Sequence, residues 1–214
     1  MSEPDCIKLL GEHRRRESFD VACHRFVDFL SHGTVLDDCT ITIRGSSRGI
    51  VFHGATLRNC RIVAQRRFAN FSWHDVILQN CGFEGVFVGC DFGPRPDAYP
   101  QPPYGELTAC DFTQAQVHNS RLFRSDMTQQ RLPPWPCFTV LEPERNAADW
   151  LSIPFPESFR IEQATIVEAV PEKYRVEGVV AVCEDAKEIA KKHKITLEEI
   201  KRCIEGRAYI VQGP

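Results

Sequence analysis

The chain lacks the features that mark several common classes of protein. No apolar run approaches the roughly 20 residues that a membrane-spanning helix needs. The first residues, MSEPDCIKLLGEHRRR, do not contain the apolar core of a signal peptide, and we therefore expect a cytoplasmic protein. No CxxC pair is present, which argues against a structural zinc site. We expect neither a metal nor a cofactor.

The motifs of the main enzyme classes are absent as well. The sequence has no glycine-rich phosphate loop, no GxSxG and no HExxH. The acidic residues in the middle of the chain are scattered instead of paired. We therefore expect a protein that is not an enzyme and has no catalytic residues.

What the chain does have is a repeat of twenty-one residues in its middle half. The segments that begin at His32, His53 and His74 align column by column. The aligned columns are Leu36 with Leu57 and Leu78, Cys39 with Cys60 and Cys81, Ile41 with Ile62 and Phe83, and Phe52 with Trp73. A fixed period of this length is typical of a solenoid, in which each turn buries its apolar residues against its neighbours.

A shorter period of five residues runs inside each repeat. A large apolar residue recurs with a small residue two positions before it, as in Cys60 and Ile62. Two inward residues in every five fit neither a helix nor an alternating strand. They fit a coil with four sides, and the predicted core is Cys39, Ile41, Phe52, Leu57, Cys60, Ile62, Trp73, Leu78, Cys81, Phe83, Phe92, Leu107, Cys110, Phe112, Val117 and Leu122.

This five-residue pattern resembles the pentapeptide repeat family. The resemblance implies a mainly β fold, a right-handed quadrilateral β-helix over residues 31–128. Because four sides of five account for only twenty residues, we expect bulges near residues 44–48 and 65–68. A proline-rich segment at 93–105, GPRPDAYPQPPYG, is predicted to be a solvated loop. Beyond that loop, Cys110 rejoins the cysteine column, and we expect these cysteines to be buried thiols.

The two ends of the chain differ from the repeat. In residues 1–30, apolar residues at helical spacing predict a helical cap over the end of the solenoid: Phe19, Cys23, Phe26, Val27 and Leu30. Residues 129–214 are predicted to form a smaller α+β region, with extended segments FTVL, ATIVEAV and VEGVVAV. Its aromatic residues Trp135, Trp150, Phe155 and Phe159 are expected to cover the last turn of the solenoid.

A helical hairpin is predicted at the C-terminal end, over residues 184–193 and 197–205. Thr196 and Glu199 have the spacing of a capping box at the start of the second helix. The spacing is also that of a helix–turn–helix, and the lysines of the first helix keep a DNA-binding interpretation open. The second helix begins with Leu197, Glu198 and Glu199, however, and carboxylates there would repel phosphate. We therefore favour a plain hairpin without direct nucleic-acid binding.

The histidines His32, His53 and His74 are expected to lie one above another on the surface. Such a stack could bind a metal ion or respond to pH. No acidic or cysteine ligand accompanies them at a constant spacing, and we favour the simpler explanation that a surface residue was copied with the repeat.

Two classes of binding function remain. Some pentapeptide repeat proteins protect bacterial type II topoisomerases such as gyrase with a rod that imitates duplex DNA. Here nine Asp or Glu residues stand against nine Arg residues between positions 35 and 127, and such a neutral rod disfavours mimicry. We favour an unidentified protein partner and a role as a scaffold, an adaptor or an immunity-type inhibitor. The candidate contact residues are those of the loop: Pro94, Arg95, Asp97, Tyr99 and Tyr104.

Overall fold

The computed structural model describes residues 6–22, 26–94, 105–169, 171–172 and 175–214. Short parallel strands form a β-solenoid of about four turns, and antiparallel strands and a few helices follow it. The strands of the solenoid are β1 (Lys8–Leu9), β2 (His13–Arg15), β3 (Ser18–Val21), β4 (Asp28–Leu30), β5 (Val35–Asp37), β6 (Thr40–Ile43), β7 (Ile50–Phe52), β8 (Thr56–Arg58), β9 (Arg61–Ala69), β10 (Ile77–Gln79), β11 (Gly82–Val88), β12 (Asp91–Phe92), β13 (Glu106–Thr108), β14 (Asp111–His118) and β15 (Ser120–Phe123).

Successive turns place equivalent strands side by side in three parallel sheets. The first sheet has the order β1–β4–β7, the second β2–β5–β8–β10–β13 and the third β3–β6–β9–β11–β14. In the second sheet Leu36 pairs with Leu57, which pairs with Leu78, and Leu78 pairs with Leu107. This register confirms the aligned columns of the repeat, and it continues on the far side of the segment 93–105.

The predicted N-terminal helix is wrong for the described residues of 1–30, which form strands. Phe19 pairs with Ile41, and Leu30 pairs with Phe52. The first repeat offers an edge of unpaired backbone N–H and C=O groups, and the preceding chain satisfies them by adding one further rung. The apolar residues that predicted the helix therefore do not lie on one face, because Leu30 is buried whereas Phe26 is 71% exposed.

The interior of the solenoid is built from stacked aromatic rings and small thiols. Every residue of the predicted core is buried. The ring of Phe83 stacks on that of Phe112 with centroids 4.7 Å apart. The Cys60 thiol lies 3.3 Å from the carbonyl oxygen of Leu36 in the preceding turn, and Cys81 lies as close to the carbonyl of Leu57. The cysteines in the repeat are free thiols, whereas Cys6, outside the repeat, is in a disulfide.

The corner between the second and third sheets needs a left-handed backbone in every turn. Asp38, Asn59 and Asn80 occupy this corner with φ between 51° and 58°. Asn tolerates this region better than most residues. The side chains also form a ladder, because Asn80 Nδ2 donates to Asn59 Oδ1 at 2.6 Å.

One predicted bulge is confirmed in β9. Ala64 pairs with Gly85 and Phe68 with Phe87, so that three residues of β9, positions 65–67, oppose the single residue Val86. The equivalent part of the previous turn is not a bulge within a strand. There the chain leaves the sheet and forms a 3₁₀ turn at Ser47–Gly49.

The C-terminal region continues the last side of the solenoid with antiparallel strands. Its elements are β16 (Cys137–Leu141), α1 (Ala147–Ser152), α2 (Arg160–Ile166), β17 (Val179–Asp185), α3 (Ala186–His193), α4 (Leu197–Ile204) and β18 (Ile210–Val211). They complete a fourth sheet of order β12–β15–β17–β16–β18, in which β17 is antiparallel to both β15 and β16. The stack of parallel rungs therefore ends at an antiparallel strand.

Two expectations for this region are wrong, and two are confirmed. FTVL lies in β16 and the last four residues of VEGVVAV lie in β17, as predicted. Trp150, Phe155 and Phe159 do not cover the solenoid, because they form a separate core beneath the helices, whereas Ala181 and Cys183 of β17 join the core of the solenoid. ATIVEAV does not extend, since its first residues lie in α2. The hairpin α3–α4 forms as predicted, with the capping box of Thr196 and Glu199.

Candidate functional site

Most of the predicted contact loop lies outside the described residues. Arg95, Asp97, Tyr99 and Tyr104 belong to that part, and Pro94 at its start is half-buried. The chain returns at Gly105, where an added Cβ would lie 2.3 Å from the carbonyl oxygen of His74. The re-entry point is therefore packed directly against the preceding turn.

The outer side of the first sheet is apolar in its first turns. Lys8, Phe29 and Val51 form one outward column across β1, β4 and β7. Exposed apolar residues surround this column, with Leu10 at 67%, Phe26 at 71%, Val27 at 38% and Val51 at 40%. We call Leu10, Phe26, Val27, Phe29 and Val51 the apolar face. Single exposed apolar residues are ordinary, but a cluster of this kind marks interaction surfaces.

The apolar face and the start of the loop lie on the same side of the solenoid. Trp73 lies in the turn after Phe52, with their rings 5.9 Å apart, and the outward neighbours Val51 and Ser72 therefore follow each other. Ser72 in turn bridges to Asp91, two residues before Gly93. At about 4.8 Å per rung, Val51 is only about 10 Å from the strand that leads into the loop.

Many charges on the other sides of the solenoid are paired with opposite charges in the adjacent turn. Arg15 approaches Asp37 at 3.5 Å, and Arg131 Nη1 donates to Asp111 at 2.7 Å. Arg61 binds the Glu84 carboxylate with both its Nε and Nη2 groups. Positive and negative side chains alternate between adjacent turns, and these pairs do not produce an acidic side.

A polar cleft of about 200 Å³ lies where the solenoid meets the C-terminal region. His118, at the end of β14, faces Glu184 of β17, with Nδ1 2.7 Å from Oε2. On the opposite wall Glu162 of α2 pairs with Lys192 and with His193 Nε2, the latter at 2.8 Å. These contacts join the solenoid to β17 and α2 to α3.

The charge state of His118 follows from its contacts. Burial opposes protonation of the imidazole, but the hydrogen bond and charge of Glu184, with the charges of Glu188 and Asp185, outweigh it and raise the pKa of His118. Nδ1 also lies 3.3 Å from the backbone nitrogen of Asp185. One nitrogen cannot donate to a carboxylate and accept from an amide together. The shorter contact identifies Nδ1–H as a donor to Glu184.

The histidine stack does not form a metal site among the residues that the structure describes. His53 Nδ1 lies 3.0 Å from Asp75 Oδ2, so this imidazole has a carboxylate partner. No group of three or more potential ligands is suitably placed anywhere in that part of the chain. Nor is any described helix long and apolar enough to cross a membrane.

Comparisons with known proteins do not assign the chain to a family. No protein-family model matches it, and no curated protein matches it significantly. A solved structure of a trypsin-treated variant of QnrB1, described as a plasmid-mediated fluoroquinolone resistance protein, is similar with a TM-score of 0.29. The match covers 60% of this chain and 70% of that chain at 15% identity. The likeness is too weak to transfer a function.

Sequence reasoning missed both the apolar face and the cleft. The spacing of Phe26 and Val27 indicates one side of a helix, and Val51 is the neighbour of an inward residue, Phe52. A usable signal is present, since Val51 is apolar where Ser72, at the equivalent position of the next turn, is polar. For His118 and Glu184 no local pattern exists, because they lie on elements far apart in the chain.

Proposed function

We propose that the chain is a non-enzymatic protein-binding module, acting as a scaffold, an adaptor or an immunity-type inhibitor. Its contact surface is the apolar face together with the loop at 93–105. The observation that carries this proposal is the cluster of exposed apolar side chains on one side of the solenoid. Fully burying an exposed side chain of this kind contributes about 1.5–3 kcal/mol. Phe26 and Val51, which are 71% and 40% exposed, would contribute the corresponding fraction of that free energy when a partner covers them.

The test compares partner capture by four forms of the tagged chain from a lysate of the cells that produce it. These are the wild type, the double variant Phe26→Ser/Val51→Thr, a deletion of residues 94–103, and a control. Leu151→Ser/Ile161→Ser is the matched control, because both side chains are exposed apolar residues outside the apolar face. We expect the wild type and the control to capture the same protein and both other forms to lose it.

Two results would contradict this proposal. If the double variant captures the partner as well as the wild type does, the apolar face is not the contact surface. If the deletion of residues 94–103 still captures the partner and the double variant does not, the loop does not contribute to binding and is a tolerated insertion at a corner. Circular dichroism of each form establishes that the changes leave the fold intact.

We further propose that the solenoid is the right-handed, four-sided β-helix of a pentapeptide repeat. Its support is the five-residue period together with the burial of both inward residues, as in Cys60 and Ile62. A crystal structure of the chain would show the handedness and the number of sides. A left-handed coil would contradict the proposal.

The alternative function is protection of a type II topoisomerase by imitation of DNA. We expect no protection, because the pairs such as Arg61–Glu84 neutralise the carboxylates that would have to replace phosphates. The assay is DNA supercoiling by gyrase in the presence of a topoisomerase poison. Restored supercoiling over a range of protein concentrations would establish topoisomerase protection and contradict our preference for a scaffold, adaptor or immunity-type role.

A further inference from the structure

A second surface of the solenoid carries cations without partners. Arg48 and Arg66 are exposed, and no described carboxylate pairs with either of them. This distinguishes them from the arginines that are paired on other sides, namely Arg14, Arg15, Arg16, Arg61, Arg121 and Arg131. Arg66 lies in the bulge at positions 65–67, and Arg48 lies in the 3₁₀ turn at the equivalent place of the previous turn.

Hydrogen bonds place several cations next to this bulge. Arg44 Nη1 donates to Gln65 Oε1 at 2.7 Å. The segment from Arg44 to Arg48, which belongs to the preceding turn, therefore lies beside the bulge. On the other side, Arg67 Nη1 lies 3.3 Å from Glu188 Oε2 near the start of α3. The solenoid and the first turn of α3 therefore form one continuous surface.

Helix α3 extends this surface with two further cations. Lys187 precedes Glu188, and Lys191 follows it by three residues, which places Lys191 on the same part of the helix surface. Both lysines are exposed and have no carboxylate partner among the described residues. We call Arg44, Arg48, Arg66, Arg67, Lys187 and Lys191 the basic strip.

The basic strip has a strong local charge in a chain whose net charge is -3. Among the described residues, two carboxylates contact its cations, Asp20 at Arg44 and Glu188 at Arg67. Both arginines remain about half exposed, at 46% and 51%, and keep free N–H donors. Guanidinium groups with free donors bind carboxylates in a bidentate manner.

We propose that the basic strip binds an acidic segment of another protein. A nucleic acid fits less well, because a continuous phosphate backbone would meet Asp20 and Glu188 and the negative field of the whole chain. A polypeptide whose carboxylates are spaced apart can contact the cations on either side of Asp20 and Glu188 without meeting these two carboxylates. The strip adjoins the apolar face, because Arg48 lies three residues before Val51. The proposal rests on the charges of the strip and does not depend on the function assigned to that face.

The test measures fluorescence anisotropy of a labelled peptide of about ten glutamates, titrated with the full chain at low and at physiological salt. The double variant Arg66→Glu/Lys191→Glu is expected to bind about tenfold more weakly, since two attractions become repulsions. The control Lys201→Glu/Arg202→Glu changes the net charge equally on α4, outside the strip, and is expected to bind within about twofold of the wild type.

Three results would overturn the proposal. The first is absence of peptide binding at low salt. The second is an equal loss of binding in both double variants, which would show that only the net charge matters. The third is tighter binding of a DNA duplex than of the peptide, which would identify the strip as a nucleic-acid surface. Unchanged thermal unfolding of the variants excludes loss of the fold as an explanation.

Discussion

The contact between His118 and Glu184 predicts a specific dependence of stability on pH. Replacing Glu184 by Gln keeps the size of the side chain. It also keeps an oxygen that can accept from the Asn119 backbone N–H, which lies 3.2 Å from Glu184 Oε2 in the wild type. It removes the negative charge that favours the imidazolium. The variant therefore isolates the charge of this contact from its packing, because Glu184 is almost fully buried.

The direction in which stability changes with pH follows from the raised pKa of His118. A histidine whose pKa is higher in the folded than in the unfolded chain stabilises the fold fully below the unfolded value of about 6.5. That contribution is lost as the pH rises through the folded pKa. A hydrogen bond to a charged partner contributes about 1.5–3 kcal/mol, so Glu184→Gln should lower the free energy of unfolding by that amount near pH 6. Near pH 8.5 the difference should fall below about 1 kcal/mol.

The assay is urea denaturation followed by tryptophan fluorescence at the two pH values. Trp150 is buried in the core beneath the helices and reports on the region that contains Glu184. Glu157→Gln is the matched control, because Glu157 lies on the surface, where we expect no pH-dependent difference. If Glu184→Gln loses the same free energy at both pH values, protonation of His118 does not stabilise the fold and the reasoning is refuted.

Further substitutions test the packing, a turn and a helix cap, each by urea denaturation. Phe83→Ala should lower the free energy of unfolding by about 3–5 kcal/mol, because this ring is buried; a loss below about 1 kcal/mol would contradict its place in the core. Gly85→Ala should lower it by about 1–3 kcal/mol, since φ is +98° and the new Cβ would lie 2.2 Å from the Ala64 carbonyl oxygen. Gly82→Ala, in the same strand with nothing within 4 Å, is the control, and equal losses would refute the steric reason. Thr196→Ala should lower it by about 0.5–2 kcal/mol through loss of the cap on α4, and an unchanged value would contradict the capping box.

The repeat could be predicted from the sequence because each turn solves the same packing problem. A rung buries one large and one small residue, so the same chemistry returns at a constant spacing, as at Leu36, Leu57 and Leu78. The register continues beyond the proline-rich segment, because Leu78 pairs with Leu107 on its far side. Capping boxes are equally local, and Thr196 with Glu199 was visible for that reason.

The N-terminal strands could not be predicted from the same kind of pattern. Segments as short as β3 and β4 have little intrinsic preference for the strand conformation. An apolar spacing of three and four residues, considered alone, indicates a helix. The hydrogen bonds that decide the conformation come from β6 and β7, later in the chain. Tertiary context therefore overrides the local signal.

The sequence by itself determined the solenoid, its inward residues and the bulge in β9, because these depend on contacts that repeat at a constant separation. Only the tertiary structure decided the surfaces. Arg67 meets Glu188 across a separation of 121 residues. His118 meets Glu184 only because β17 runs antiparallel to β15. Such contacts carry no period, since each is formed once, where two different parts of the fold bring opposite charges together.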